Sequence, residues 1–218
     1  MIKLVSFISK IALAPLFYSM VRETRGKENV PKRNFILAAN HLSHIDWFVD
    51  GYFCTPRKFT FIGQIDKMTG FMAFLRNMLY GYAEVIPVNR KEGESRKQAY
   101  GNALKRLKQD YTLIIYPEGT RSRDGQFHEF KSGIARLHLE SGVPILPLAH
   151  VGTYDLMPPG GKLKIKRIVT LIVGKPLDFS KERVLAAGMD KNSNEYRVLC
   201  ESVTKAVEDN MRALLKNQ

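Results

Sequence analysis

The sequence is poor in cysteine, in acidic residues and in long apolar runs. Cys54 and Cys200 are the only thiols in 218 residues, too few for a disulfide framework or a four-thiolate zinc site, and no Cys-x-x-Cys spacing offers redox chemistry. Two isolated thiols suit a reducing compartment. Asp and Glu number 21 against 34 Lys and Arg, a formal charge of +13. That surplus favours anionic partners: nucleic acid, an acidic membrane surface, a phosphorylated substrate or an acidic carrier protein. No internal repeat, low-complexity tract or dividing linker is present, and neither is a Gly-x-Ser-x-Gly elbow, a Walker loop or a His-Glu-x-x-His metal motif. What remains is a chain 44% hydrophobic and 25% charged, the composition of one folded domain with a substantial core.

The amino-terminal residues Ile2 to Val21 are apolar except for Lys3, Ser6, Ser9, Lys10 and Ser19. On a helix, Lys3, Ser6, Ser9 and Lys10 form one stripe and the rest of the circumference is apolar. This predicts an amphipathic helix, either anchored in a membrane interface with its lysines toward anionic headgroups or packed on the protein's own core. A bilayer span is not expected: the run from Ile11 to Tyr18 is the longest without a charged or small polar residue, and Pro15 interrupts it, whereas a span needs roughly 18 to 20. Ala12-Leu13-Ala14 has the form of a signal cleavage site, but Lys10 and Pro15 argue against one. The chain accordingly divides into an amphipathic segment, residues 1–33, expected to anchor on a membrane, and the main domain, residues 34–218.

After a basic turn from Arg22 to Arg33, apolar runs predict strands at Phe35–Ala39, Lys58–Gly63, Val85–Val88, Thr112–Tyr116, Ile145–Ala149 and Leu163–Val173. Between and after them, helices are expected at Thr69–Leu79, Ser95–Gln109, Ser132–Ser141 and Asn194–Lys216. Alternation of this kind predicts an α/β fold with a mixed, mostly parallel central sheet covered by helices. In such sheets chemistry gathers beyond the carboxyl ends of the strands. Three polar clusters fall there: Asn40 to Asp46, Asn89-Arg90, and Glu118 to Ser122.

A histidine followed five positions later by an aspartate can place a base beside its orienting carboxylate if the chain turns between them. The spacing occurs at His41/Asp46 and at His150/Asp155; the polar surroundings Asn40, Ser43 and His44 favour the first. In Tyr116-Pro117-Glu118-Gly119-Thr120-Arg121-Ser122, a strand stops at Pro and turns through Gly, offering backbone N–H groups, a guanidinium and hydroxyls to a phosphate or an oxyanion. Arg90 is a third candidate, able to hold phosphate with paired bonds. No side chain reads as an activated nucleophile, so a lone base suits a reaction whose substrate supplies the nucleophile, such as a hydroxyl attacking a thioester.

Asn40-His41-Leu42-Ser43-His44-Ile45-Asp46, Val85 to Arg90, Tyr116 to Ser122 with Phe130-Lys131-Ser132-Gly133, and Val143-Pro144-Ile145-Leu146-Pro147, in this order, resemble the four motifs of the glycerolipid acyltransferase family. The likeness is greatest to its bacterial 1-acyl-sn-glycerol-3-phosphate acyltransferases. The resemblance implies His41 as general base, Asp46 as its support, Arg90, Glu118, Gly119, Thr120 and Arg121 around an acceptor phosphate, and Val143, Pro144, Ile145 and Pro147 on the acyl side. It implies an acyl-CoA or acyl carrier protein donor, a lysophospholipid acceptor, membrane lipids as partners at the cytoplasmic face, and no nucleic acid, metal or redox cofactor. Another lysophospholipid or glycerol phosphate as acceptor, or a non-catalytic protein of anionic membranes, are the alternatives. Glu84 stands where the second motif often begins with Gly, putting acidic character near the expected phosphate site. Tyr116 replaces the common Phe.

Overall fold

The computed structural model describes residues 2–64, 84–89 and 91–216. The expected helix Thr69–Leu79 and Arg90 lie outside the described residues. Helix α1 (Ile2–Met20) leads into strand β1 (Val21–Arg25), and β2 (Ile36–Ala39) is followed by α2 (Asp46–Cys54) and β3 (Phe59–Gln64). Strand β4 (Ile86–Val88) precedes α3 (Gly93–Lys108), β5 (Thr112–Ile115), α4 (Gly133–Ser141) and β6 (Ile145–Val151). A single turn, α5 (Thr153–Leu156), strand β7 (Val169–Val173), α6 (Ser180–Ala187) and the long α7 (Asn194–Lys216) complete the order.

The seven strands form one sheet in the order β1-β7-β6-β2-β5-β3-β4. Strands β6, β2, β5, β3 and β4 are mutually parallel; β7 runs antiparallel to β6, and β1 runs parallel to β7. Strand β2 lies near the middle and is buried on both faces, which its apolar run Ile-Leu-Ala-Ala permits. Its alternation divides the core. Leu37 and Ala39 face a cluster with Phe17 and Met20 of α1 and Val49 and Tyr52 of α2, while Ile36 and Ala38 face Ala99, Ala103 and Leu107 of α3 and Val207 of α7. Those residues recur at three- or four-residue spacing because that spacing lines one face of a helix; in α7 the buried set is Tyr196, Cys200, Val203, Val207 and Met211.

Three features depart from the sequence expectations. The stretch read as a turn from Arg22 contains β1, so the sheet draws a strand from the segment before residue 34. The strand expected from Leu163 begins only at Val169; residues 162–168 form an exposed strap in which Leu163, Ile165 and Ile168 alternate with lysines and find no sheet partner. Helix α2 was not anticipated, being short and interrupted by Gly51. Helix α1 is present, but Lys10 turns inward and donates to the Thr55 carbonyl at the end of α2. Phe17 stacks on Tyr52 at 4.0 Å, whereas Ile8, Ile11, Leu13, Leu16 and Tyr18 are exposed. No helix among the described residues is long and apolar enough to cross a membrane.

Gly26 closes β1 with φ +73°, and a Cβ there would fall 2.2 Å from the backbone oxygen of Val173 on β7. Gly26→Ala is expected to cost about 1 kcal/mol for the left-handed backbone and more for the forced separation of the two strands. Urea unfolding should show a lowered midpoint; an unchanged midpoint would mean that this sheet edge contributes nothing to stability.

Candidate active site

Because β2, β5 and β6 are adjacent and parallel, their carboxyl ends converge on one edge of the sheet. Asn40 to Asp46 follows β2, Tyr116 to Ser122 follows β5, and His150 lies near the end of β6. The first two segments are stitched together through one residue: the His41 N–H donates to Glu118 Oε1 at 2.7 Å, and the His41 carbonyl accepts from the Ser122 N–H at 2.8 Å.

The chain between His41 and Asp46 makes the turn that their spacing requires. Asp46 Oδ2 accepts from the Leu42 and Ser43 N–H groups, each at 2.8 Å, and lies 3.0 Å from His41 Nδ1. Ser43 Oγ accepts from the Ile45 N–H and donates to the Met157 carbonyl, a structural use of the hydroxyl. Asp46 is completely buried. Burial works against its charge, but the His41 hydrogen bond, the charges of His150 and His41 and the Ser43 N–H outweigh it and hold the carboxyl below its ordinary range. With Nδ1 directed at Asp46, Nε2 is the nitrogen left to act as base. The His41 ring also stacks on Tyr116, centroids 3.9 Å apart and planes within 12°. The ring is therefore held on its edge by Asp46 and on its face by Tyr116, with 14% of the side chain reachable from solvent.

The second His/Asp pair does not form. Asp155 is exposed on α5, while His150 is fully buried and places Nε2 2.7 Å from Asp50 Oδ1 and Nδ1 3.0 Å from the Asn40 carbonyl. Burial alone would lower its pKa, yet the carboxylates of Asp50 and Asp46 and the Asn40 carbonyl raise it to about 9. A histidine carrying its proton this firmly is no base. Asp50 was not foreseen, although it lies one helical turn after Asp46 on α2 and so shares its face.

In the turn after β5, Gly119 has φ +75°, and a Cβ there would lie 2.7 Å from Lys131 Nζ. The Lys131 side chain thus lies across the glycine, and its backbone N–H donates to the Pro117 carbonyl at 2.9 Å. Sequence reasoning quoted Lys131 within a motif but gave it no role. Thr120 is exposed at the tip of the turn, and the Arg121 guanidinium meets the His44 ring. Glu118 braces the turn: it is buried, and its second oxygen accepts from the His128 N–H at 3.1 Å. Burial raises its carboxyl to about 7, against the opposing pull of the two backbone N–H groups.

Val143, Pro144 and Ile145 lie at the start of β6: Ile145 opens the strand opposite Ile36, and the Pro144 carbonyl accepts from the Ile36 N–H at 2.9 Å. Pro147 pairs with Ala38, one residue before the end of β2. Glu84 precedes β4, also at the start of a parallel strand, and binds Arg106 and the Tyr111 hydroxyl, so its charge is answered away from the catalytic edge. Among the described residues no group of His, Cys, Asp and Glu is arranged to hold a metal ion.

Known proteins share sequence and fold with this chain. An acyltransferase family model matches residues 21–151. The chain is 28% identical over 184 residues to a chloroplastic 1-acyl-sn-glycerol-3-phosphate acyltransferase of Arabidopsis thaliana, covering 82% of this chain and 50% of that protein. It is 29% identical over 170 residues to the 1-acyl-sn-glycerol-3-phosphate acyltransferase of Pseudomonas aeruginosa, covering 73% of this chain and 60% of that protein. The chain thus spans about half the length of the curated relatives it matches first. The crystal structure of the 1-acyl-sn-glycerophosphate acyltransferase PlsC from Thermotoga maritima superposes with a TM-score of 0.67 at 30% identity, over 99% of this chain and 78% of that one. On its matched residues, its sheet and its site, the chain belongs to the acyltransferase family.

Proposed function

We propose that this chain transfers a fatty acyl group from an acyl thioester to the free hydroxyl of 1-acylglycerol-3-phosphate, giving phosphatidic acid. The observation that supports it is the His41 ring fixed by Asp46 and Tyr116 and stitched through its own backbone to the Glu118–Ser122 turn. In this reading His41 Nε2 takes the proton of the acceptor hydroxyl as its oxygen bonds to the thioester carbonyl. The tetrahedral intermediate expels the thiolate, which recovers the proton from His41, so an ester and a free thiol leave and the enzyme is unchanged. Asp46 keeps Nδ1 protonated and offsets the imidazolium. Lys131 and Arg121 supply positive charge to the acceptor phosphate beside the base, and Arg90 is assigned to the same group on the motif resemblance. The donor is acyl-CoA or acyl carrier protein, and the step requires neither metal nor redox cofactor.

The same reading puts the protein on the cytoplasmic face of a membrane. Strands β1 and β7 run against the parallel five, so both begin at the catalytic edge, Val21 beside Val169. The segments delivering them are α1, on which Ile8, Ile11, Leu13, Leu16 and Tyr18 are exposed while Lys10 points inward, and the strap of residues 162–168. A helix with exposed aliphatics and a strap rich in lysines and aliphatics both suit an anionic interface. Residues 1–33 then act as an anchor that also contributes β1. Deleting Met1 to Val21 would remove Phe17 and Met20 from the core, so surface substitutions test the anchor better.

His41→Ala should lower turnover with lysophosphatidic acid and a long-chain acyl thioester by at least about a hundredfold, with little change in melting temperature. Thiol release coupled to phosphatidic acid formation is the measurement; near-wild-type turnover would remove His41 from the mechanism, and activity only with another lysolipid would replace the acceptor.

Replacing Lys162, Lys164 and Lys166 by Glu should weaken partitioning onto anionic vesicles by at least about tenfold, since each lysine near such a surface contributes about 1 kcal/mol. Ile8, Ile11 and Leu16 changed to Ser should weaken binding to neutral vesicles as well. Unchanged partitioning of both proteins in vesicle flotation would place the membrane contact elsewhere.

Glu118 links stability to pH. Its folded value of about 7 exceeds the unfolded one, so its contribution is full in acid and is lost as pH rises through about 7. Urea titrations of Glu118→Gln should accordingly show a shallower fall in stability between about pH 5 and pH 8 than wild type. Equal slopes would mean that the carboxyl does not titrate there.

A further inference from the structure

Behind the proposed base lies a buried layer that the proposed chemistry does not use directly. Asp46 Oδ2 is saturated by His41 Nδ1 and two backbone N–H groups, but Asp46 Oδ1 is sealed from solvent and has no hydrogen bond. What it faces is His150 Nδ1, at 3.8 Å. His150 in turn has an acceptor against each ring nitrogen, the Asn40 carbonyl at 3.0 Å and Asp50 Oδ1 at 2.7 Å. A neutral imidazole has one N–H and could satisfy only one of them; the imidazolium satisfies both. Asn40 fixes the strand end that carries the ring, exchanging bonds with His150 through its side chain: Oδ1 accepts from the His150 N–H at 2.7 Å and Nδ2 donates to the His150 carbonyl at 3.1 Å. Asp50 Oδ2 accepts from the Tyr116 hydroxyl at 2.7 Å, and the Tyr116 ring stacks on His41. The chain of contacts therefore closes on itself, from His41 through Asp46, His150, Asp50 and Tyr116 back to His41.

We propose that His150, held as an imidazolium between Asp46 and Asp50, is a positioning residue that keeps Asp46 ionised and turned toward His41, with Asp50 and Tyr116 as its supports. The proposal rests on reading His41 as the base. One cation against two carboxylates leaves the buried group with a single excess negative charge while His41 is neutral, and that excess is cancelled when His41 takes the acceptor proton. Without His150 the two carboxylates would repel each other with no cation between them, and the uncompensated charge would raise the proton affinity of the whole group, His41 included. The other titratable groups nearby leave this balance intact. Cys54, on the same helix, has its thiol pushed well up by burial and by Asp50, and Tyr116 is pushed up by burial and by Asp50, so both stay neutral. Glu118, close to Asp46 from the turn after β5, is common to every variant below.

Charge parity distinguishes positioning from simple packing. His150→Gln removes the cation and should lower kcat roughly ten- to a hundredfold at little change in KM, and move the acidic limb of the kcat/KM profile to higher pH. Asp50→Asn removes one negative charge and should move that limb to lower pH. The double variant restores the wild-type count and should return the limb toward its wild-type position, which two independent packing defects would not do. Limbs that stay in place in both single variants would overturn the proposal. Nitrogen-15 NMR of the wild-type imidazoles provides a test that needs neither turnover nor a folded variant. At about pH 7.5 His150 should show both ring nitrogens protonated. A neutral His150 would overturn the proposal, whereas an imidazolium in a protein lacking transferase activity would overturn only the assignment of His41.

Discussion

Burying a carboxylate costs more than any single hydrogen bond returns, and the catalytic edge is organised around meeting that cost for Asp46. Two backbone N–H groups, an imidazole and a second, charged histidine are gathered around it. The backbone bonds force the tight turn between His41 and α2; that turn starts α2 at Asp46, which places Asp50 on the same face one turn later. The sheet is the frame for all of this. Only adjacent parallel strands could deliver His41, Tyr116 and His150 to one edge, and β2, β5 and β6 are those strands.

The backbone of His41 is restrained as closely as its ring. Glu118 holds the N–H, Ser122 holds the carbonyl, and Glu118 is itself tied to the loop that returns through His128. That loop is clamped from the opposite face by Glu208 of α7, which accepts from the Phe130 N–H at 3.0 Å. A helix near the carboxyl terminus thereby helps to position a histidine near the amino terminus. Rigidity of this kind lowers the cost of orienting reactants.

Much of this was legible in the sequence because period and punctuation carry it. The runs at Ile36–Ala39, Leu113–Ile115 and Ile145–Ala149 are unbroken and apolar, as strands buried on both faces must be, and α7 repeats its core residues at helical spacing. The pair His41/Asp46 was legible as a spacing plus a required turn. What was not legible depended on three-dimensional partners. His150 and Asp155 have the same spacing as the true pair, but strand β6 continues through His150 and turns the ring inward. Val143 to Pro147 form a motif in sequence, but its place, running from the start of β6 to the residue opposite Ala38, came only from the strand register. The strap at residues 162–168 has much of a strand's alternation, yet it pairs with no strand among the described residues.

The reversal of β1 and β7 separates two design problems that a wholly parallel sheet would join. The five parallel strands include those whose ends bring His41, Tyr116 and His150 within hydrogen-bonding distance. The two reversed strands supply none of these residues, yet both begin at that same edge. In the proposed reading, recharging the strap would alter which surface the protein rests on and at what tilt, while the hydrogen bonds among His41, Asp46, His150, Asp50 and Tyr116 involve no strap residue. On that reading, membrane preference and catalytic geometry can diverge independently within one small fold.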